Sequence, residues 1–225
     1  MKVVILAGGF GTRLGEYTKR TPKPMIKICG KPIIVHIMNH YFKNGFKDFI
    51  IATGYKQEVI KKYFKKKFKY NVRLIFTGKN TMTGGRVLRL KKYLKDTFML
   101  TYGDGISNIN IKKLLSFHKK NKKIATLSAV RPPARFGAIK IKKNNVRYFK
   151  EKSKLDEGWI NGGFFVMEPK IFKFIKNDQT FLEKEPLVNL SKKKQLLAYK
   201  HNGYWQCMDT YRDKLILESY FKKNK

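Results

Sequence analysis

The sequence is short of acid. It has 15 Asp+Glu against 51 Lys+Arg, a formal net charge of +36. A field of that size points to nucleic acid or an anionic membrane surface as a partner. The excess is almost all lysine, however, and it runs from Lys2 to Lys225 among abundant Ile, Asn, Phe and Tyr rather than gathering on one stretch. We read it as a compositional lean of the whole chain, so nucleic-acid binding is the weaker expectation. Cysteine is scarcer still. Cys29 and Cys207 lie far apart and neither belongs to a C-x-x-C, which removes support for a disulfide framework or a zinc site. Long apolar runs are also missing: no stretch reaches the roughly 18 residues that a membrane span requires, and the first residues pass straight into a glycine loop without a signal-peptide pattern. The expectation is a cytoplasmic protein with no membrane contact.

What is present suits a folded domain. The 225 residues are 42% hydrophobic and 14% aromatic, enough to bury a core and unlike a disordered composition. Apolar periodicity, read against Gly, Pro and Asn punctuation, predicts strands at 3–6, 46–52, 72–76, 98–102 and 124–130. Helices alternate with them at 32–41, 57–68, 87–94 and 111–119, with Pro32 at a first-turn position and Asn44-Gly45 as a stop. Such alternation predicts an α/β fold with a doubly wound, mostly parallel sheet of Rossmann type. After Pro132-Pro133 the texture changes to a hairpin (138–141 with 146–151), a strand at 159–167, a short helix after Pro169, a helix at 181–190, a strand at 196–201 and a last helix at 211–221. We expect this smaller, mixed part to cover the open edge of the first.

Three places carry candidate chemistry. The apolar run Val3 to Leu6 gives way to Ala7-Gly8-Gly9-Phe10-Gly11-Thr12-Arg13-Leu14, and Lys23 follows in Thr21-Pro22-Lys23-Pro24-Met25. Glycines let backbone N–H groups approach an anion, and Arg13 and Lys23 neutralise a charge that no carboxylate in the loop opposes. The dinucleotide spacing fails, since Leu14 stands where a third glycine belongs, and no P-loop G-K-S/T follows. In Thr101-Tyr102-Gly103-Asp104-Gly105, an acid stands at the carboxyl end of a buried strand, where open α/β sheets bind ligands, so Asp104 is a candidate for a hard cation; shaping a turn is its bland alternative. Asp209 has two readings of equal weight, a ligand or a helix N-cap. His36 and His40, one helical turn apart, read as packing residues because no third ligand accompanies them. Ile60, Phe64 and Phe68 within the lysine-rich 61–69 segment read as a core stripe rather than a base-stacking surface.

These motifs, with Thr81-Met82-Thr83-Gly84-Gly85-Arg86, Pro132 to Ala138, Ile160 to Val166, Glu185-Pro186-Leu187, Gly203 to Gln206, Met208-Asp209-Thr210 and Arg212-Asp213-Lys214, resemble in order the sugar-phosphate nucleotidyltransferases, and within them the glucose-1-phosphate cytidylyltransferase group. The family's Glu-Lys-Pro reads Glu151-Lys152-Ser153 here, and the stretch from Val72 to Thr81 is much shorter than in the group. The resemblance implies a single catalytic domain with a nucleotide-binding part (1–131) and a sugar-phosphate-binding part (132–225). It implies Mg²⁺-dependent in-line attack of a sugar 1-phosphate, glucose 1-phosphate foremost, on the α-phosphorus of CTP, giving CDP-sugar and pyrophosphate. Another triphosphate (UTP or dTTP), a non-glucose phosphate acceptor and a homo-oligomer stay open. By the same resemblance Arg13, Lys23, Asp104 and Asp209 are catalytic, with Asp104 and Asp209 on the metal. Leu6, Ala7, Gly8, Gly9, Gly11, Thr12, Thr83, Gly84 and Gly85 join Arg13, Lys23 and Asp104 around the nucleotide. Arg135, Gly137, Glu151, Lys152, Asn161 and Gly162 receive the sugar phosphate.

Overall fold

Val3, Ile5 and Ala7 point into one buried cluster and Val4 and Leu6 into another, so the first strand is the middle of a three-layer sandwich. The computed structural model describes residues 1–132, 138–150 and 158–224, including all their side chains except those of Arg13, Ala138, Lys140, Phe149 and Lys150. Its main sheet has seven strands: β1 (Lys2–Ala7), β2 (Asp48–Thr53), β3 (Asn71–Phe76), β4 (Phe98–Tyr102), β5 (Ala125–Val130), β6 (Ile160–Met167) and β7 (Leu196–His201). They lie side by side as β7-β5-β6-β4-β1-β2-β3. All run parallel except β6, which is antiparallel to both β4 and β5.

The helices are α1 (Glu16–Arg20), α2 (Ile33–Lys43), α3 (Gln57–Tyr63), α4 (Thr83–Arg89), α5 (Ile111–Asn121), α6 (Glu185–Lys192) and α7 (Tyr211–Lys223). In α2 the buried positions Ile33, Ile34, Ile37, Met38 and Tyr41 recur at helical spacing and fill the cluster that holds Val3 and Ile5. Val87 of α4, and Leu187 and Leu190 of α6, cover the opposite face with Val4 and Leu6. Each such apolar side chain taken out of water contributes about 1.5–3 kcal/mol, which fixes the sheet's two faces and hence the direction its loops point. Among the described residues no helix is long and apolar enough to cross a membrane.

The structure departs from the sequence reading at four elements. β6 does not cover an edge. It inserts between β4 and β5, because its run Phe164-Phe165-Val166-Met167 is buried on both faces, with Phe164 and Val166 in one cluster and Phe165 and Met167 in the other. The helix expected over 57–68 stops at Tyr63. The Phe64 N–H still bonds Ile60 O, after which Phe64, Phe68 and Tyr70 pack ring on ring before β3 begins, so the apolar stripe is core but only partly helical. The helix expected from Val87 starts at Thr83 and takes in Gly84 and Gly85. The helix expected from Phe181 starts at Glu185, with Pro186 in its first turn, where the missing N–H costs nothing.

Candidate active site

The parallel strands deliver their loops to one edge, and a cavity of about 420 Å³ opens there. One wall is the loop after β1. Gly11 has φ 69°, the left-handed region, and starts a 3₁₀ turn over Thr12–Leu14. A Cβ at Gly11 would stand 3.0 Å from Lys23 Cβ, so the glycine lets the lysine backbone lie directly against the loop. Lys23 opens a second 3₁₀ turn, Lys23–Met25, with Pro24 and Met25 buried beneath it. Pro24 rests on Gly103, whose N–H bonds Leu6 O at 3.0 Å, so the turn is seated over the end of β4 and its lysine over the next residue, Asp104.

Asp104 and Asp209, far apart in sequence, are joined by a short antiparallel ribbon. Gly105–Ser107 pairs with Trp205–Cys207, and the Met208 N–H extends the pairing to Asp104 O at 2.9 Å. The Lys23 Nζ then donates to Asp104 Oδ2 at 2.6 Å and to Asp209 Oδ1 at 2.7 Å. The lysine side chain is 12% exposed. Burial alone would lower its pKa, but the Asp104 and Asp209 carboxylates outweigh that and hold the ammonium above the ordinary lysine range. The N-cap reading of Asp209 is replaced: Thr210 caps α7 in a reciprocal box with Asp213, leaving the Asp209 carboxylate for Lys23. Two carboxylates meeting at one point on a cavity wall are a donor set that suits a hard divalent cation. Among the described residues no group of three or more His, Cys, Asp or Glu side chains gathers for a metal. The neighbouring Cys207 thiol is pushed up to about 12 by burial and then by Asp209 and Asp104, so it stays protonated.

The opposite wall is Lys79 to Thr83, backed by the segment before α6. Met82 N–H bonds Asp178 O at 2.8 Å and Gly85 N–H bonds Thr180 O at 3.2 Å. A Cβ at Gly84 would lie 2.7 Å from Thr180 O, so these glycines serve a close approach of two backbones. The Thr83 hydroxyl donates to Glu183 Oε2 at 2.6 Å and accepts from Leu182 N–H, while the Tyr102 hydroxyl donates to Glu183 Oε1. Phe181 completes the wall.

Leu6, Ala7, Gly9, Gly11, Thr12, Lys23, Thr83, Asp104 and Asp209 therefore line one cavity. Gly8, Gly84 and Gly85 stand behind its surface as supports. Asn161, at the start of β6, has Nδ2 3.5 Å from the Tyr102 hydroxyl, and the Gly162 carbonyl accepts from Trp205 Nε1 at 2.8 Å. The Arg13 side chain, Arg135, Gly137, Glu151 and Lys152 lie outside the described residues. His36 and His40 bond the carbonyls of Ile28 and Ile109. The sequence reading gave no role to Phe181, Glu183 or Arg86. Only Arg86 carried a signal, as a lone charge between Gly85 and Val87 on a helix face bound for the core.

A seven-stranded, mostly parallel sheet with a glycine loop, a lysine and two carboxylates at its carboxyl edge defines a phosphate-handling α/β protein of the nucleotide-binding kind. Comparison with known proteins makes that specific. The sequence profile described as Nucleotidyl transferase matches residues 2–213. The chain is 48% identical to the glucose-1-phosphate cytidylyltransferase of Salmonella typhimurium, covering 100% of this chain and 97% of that one. It is 41% identical to a Bacillus subtilis protein named "Probable glucose-1-phosphate cytidylyltransferase", covering 96% and 94%. Among solved structures, HddC from Yersinia pseudotuberculosis complexed with GMP-PN superposes with a TM-score of 0.77 at 26% identity, covering 98% of this chain and 99% of that one. The chain belongs to the nucleotidyl transferase family.

Proposed function

We propose that this protein is a cytoplasmic cytidylyltransferase that joins CTP to glucose 1-phosphate, releasing pyrophosphate and forming CDP-glucose. The observation that carries the reading is the meeting of Lys23, Asp104 and Asp209, from three distant segments, at the mouth of a glycine-loop cavity. The full-length likeness to the Salmonella enzyme supports the choice of substrates. In the reaction a phosphate oxygen of the sugar 1-phosphate forms a bond to the α-phosphorus of CTP as the bond to the bridging oxygen of pyrophosphate breaks. Catalysis of such a displacement is mostly alignment and charge stabilisation.

The backbone of the loop after β1 receives the nucleotide phosphates, with Arg13 assigned to the departing pyrophosphate. The Lys23 ammonium faces the α-phosphate, where charge builds up. Asp104 and Asp209 would hold a divalent cation, Mg²⁺, which supplies further neutralisation of phosphate charge. Thr83, with Gly84 and Gly85 in the first turn of α4, borders the pyrimidine. The part after residue 132 takes the acceptor, through Asn161 and Gly162 with Arg135, Gly137, Glu151 and Lys152. The test is to offer CTP, UTP, dTTP and GTP separately with glucose 1-phosphate and Mg²⁺, and to measure pyrophosphate and the nucleotide sugar. CTP should be turned over well ahead of the others. Equal rates, or a preference for UTP or dTTP, contradicts the cytidylyl assignment, and turnover only with a different sugar phosphate contradicts the acceptor.

A further inference from the structure

Among the described residues, Arg86 is the guanidinium on the cavity wall that the reaction scheme leaves unused. It rises from the first turn of α4 and is 4% exposed. Among the described residues no carboxylate pairs with it. Instead its Nη1 donates to Thr77 Oγ1 at 2.9 Å, to Gly78 O at 2.6 Å and, more weakly, to Thr53 O at 3.4 Å. Its Nη2 donates to Gly8 O at 2.8 Å and to Lys79 O at 3.2 Å. Gly8 follows β1, Thr53 ends β2 and Thr77 follows β3, so one side chain ties together the carboxyl ends of three adjacent parallel strands. The chain makes room for it: a Cβ at either Gly8 or Gly54 would run into the guanidinium. Taking an unpaired cation out of water is expensive, and it is held here by the carbonyl dipoles of Thr53, Gly78, Gly8 and Lys79 and by the Thr77 hydroxyl.

The bond to Gly8 O has a geometric consequence for the loop. In a trans peptide the C=O and the next N–H point in opposite directions. Gly8 O is drawn toward Arg86 and also accepts the Tyr55 N–H at 3.1 Å, so the Gly9 N–H is turned the other way. Gly9 lines the cavity, and among the described residues no carbonyl takes its N–H. We propose that Arg86 is a positioning residue for nucleotide binding: it fixes the peptide between Gly8 and Gly9 so that the Gly9 N–H is aimed at the triphosphate, and its uncompensated charge adds to the field that the phosphates enter. The assignment rests on the nucleotidyltransferase reading above.

Arg86→Lys keeps the charge but supplies no planar fork, and Arg86→Gln keeps part of the hydrogen bonding but no charge. Direct titration of wild type and both variants with CTP, UTP, dTTP and GTP by calorimetry, with the melting temperature followed in parallel, reads binding apart from turnover. The expected result is a Kd for the preferred triphosphate raised about tenfold or more in both variants, the order expected for losing a charge-assisted contact set, with KM for glucose 1-phosphate little changed. Thr77→Val removes one partner while leaving Arg86 itself, and should shift Kd in the same direction by less, which keeps the test open if an Arg86 variant does not fold. A purely structural arginine would lower the melting temperature and the active fraction while leaving both constants in place. That outcome, or equal rises for nucleotide and acceptor, overturns the inference. A wild-type protein that binds none of the four triphosphates overturns the functional reading instead.

Discussion

The two walls of the cavity are built on different principles. The wall after β1 is local. Its residues follow one another from Leu6 to Thr12, and its shape comes from a strand that ends, glycines that turn and Lys23 laid against Gly11. The facing wall is assembled from a distance, with Met82 to Gly85 bonded to Asp178, Thr180, Leu182 and Glu183. Glycine serves opposite ends in the two. At Gly9 a Cβ would meet nothing within 4 Å, so the open space is left for a ligand, whereas at Gly85 it would strike the Asp178 backbone, so the space is already taken by the protein. The chemistry we propose sits at the seam, where Lys23 from the first wall reaches Asp104 and Asp209.

Substitutions at the seam should have the largest effect. Lys23→Ala and Asp104→Asn are each expected to lower kcat by about two orders of magnitude or more, the scale of losing one preorganised charge contact in a transition state. Steady-state rates at saturating CTP and sugar phosphate check this, and near-normal turnover in either variant removes that residue from the chemistry. The same small change on opposite walls sharpens the contrast. Gly85→Ala should cost about 1–3 kcal/mol of stability by overpacking, measured by urea unfolding. Gly9→Ala should leave stability within about 0.5 kcal/mol, as an uncrowded surface change does, yet raise KM for the nucleotide. Equal stability losses at the two positions would break the distinction.

The smallest expected effect is on the layer behind the site. Burial lowers the pKa of both His36 and His40, with Lys31 and Lys43 adding to it respectively, against the opposing pull of the Ile28 and Ile109 carbonyls. The unfolded chain therefore binds more protons than the native state once the pH falls below the ordinary histidine value of about 6.5, and stability declines from there downward. Chemical denaturation at pH 7.5 and 5.5 should show the lower midpoint at pH 5.5. His40→Gln should lessen the difference; an unchanged difference would assign it to other groups.

The local wall was legible in the residues themselves, whereas of the distant one only Thr83, Gly84 and Gly85 were marked, by resemblance, and their partners from Asp178 to Glu183 were not, for a physical reason. Val3 to Leu6 is a short apolar run stopped by glycine, and Asp104 stands at the end of another, so neighbours in sequence carry the pattern. The partnership of Asp104 with Asp209 depends on a ribbon of only three residues on each side, too short to leave a periodic signal. β6 was legible as a strand, but its antiparallel place between β4 and β5 is a long-range pairing that periodicity does not encode. The helix was expected only from Val87, since glycine weakens a helix by about 1 kcal/mol, and the close approach of Asp178 and Thr180 to Gly84 and Gly85 overrides that preference. The cap on α7 was available: Thr210-Tyr211-Arg212-Asp213 has the S/T-x-x-acid pattern, and reading it would have released Asp209 from the capping role at once.

The most direct test of the account is a double-mutant cycle on kcat at the seam, comparing Lys23→Ala, Asp209→Asn and the pair. Residues that act as one unit are far from additive. The account predicts that the double variant loses about as much as the worse single variant. Losses that multiply would show that Lys23 and Asp209 act independently, and would contradict a single catalytic centre where the two walls meet.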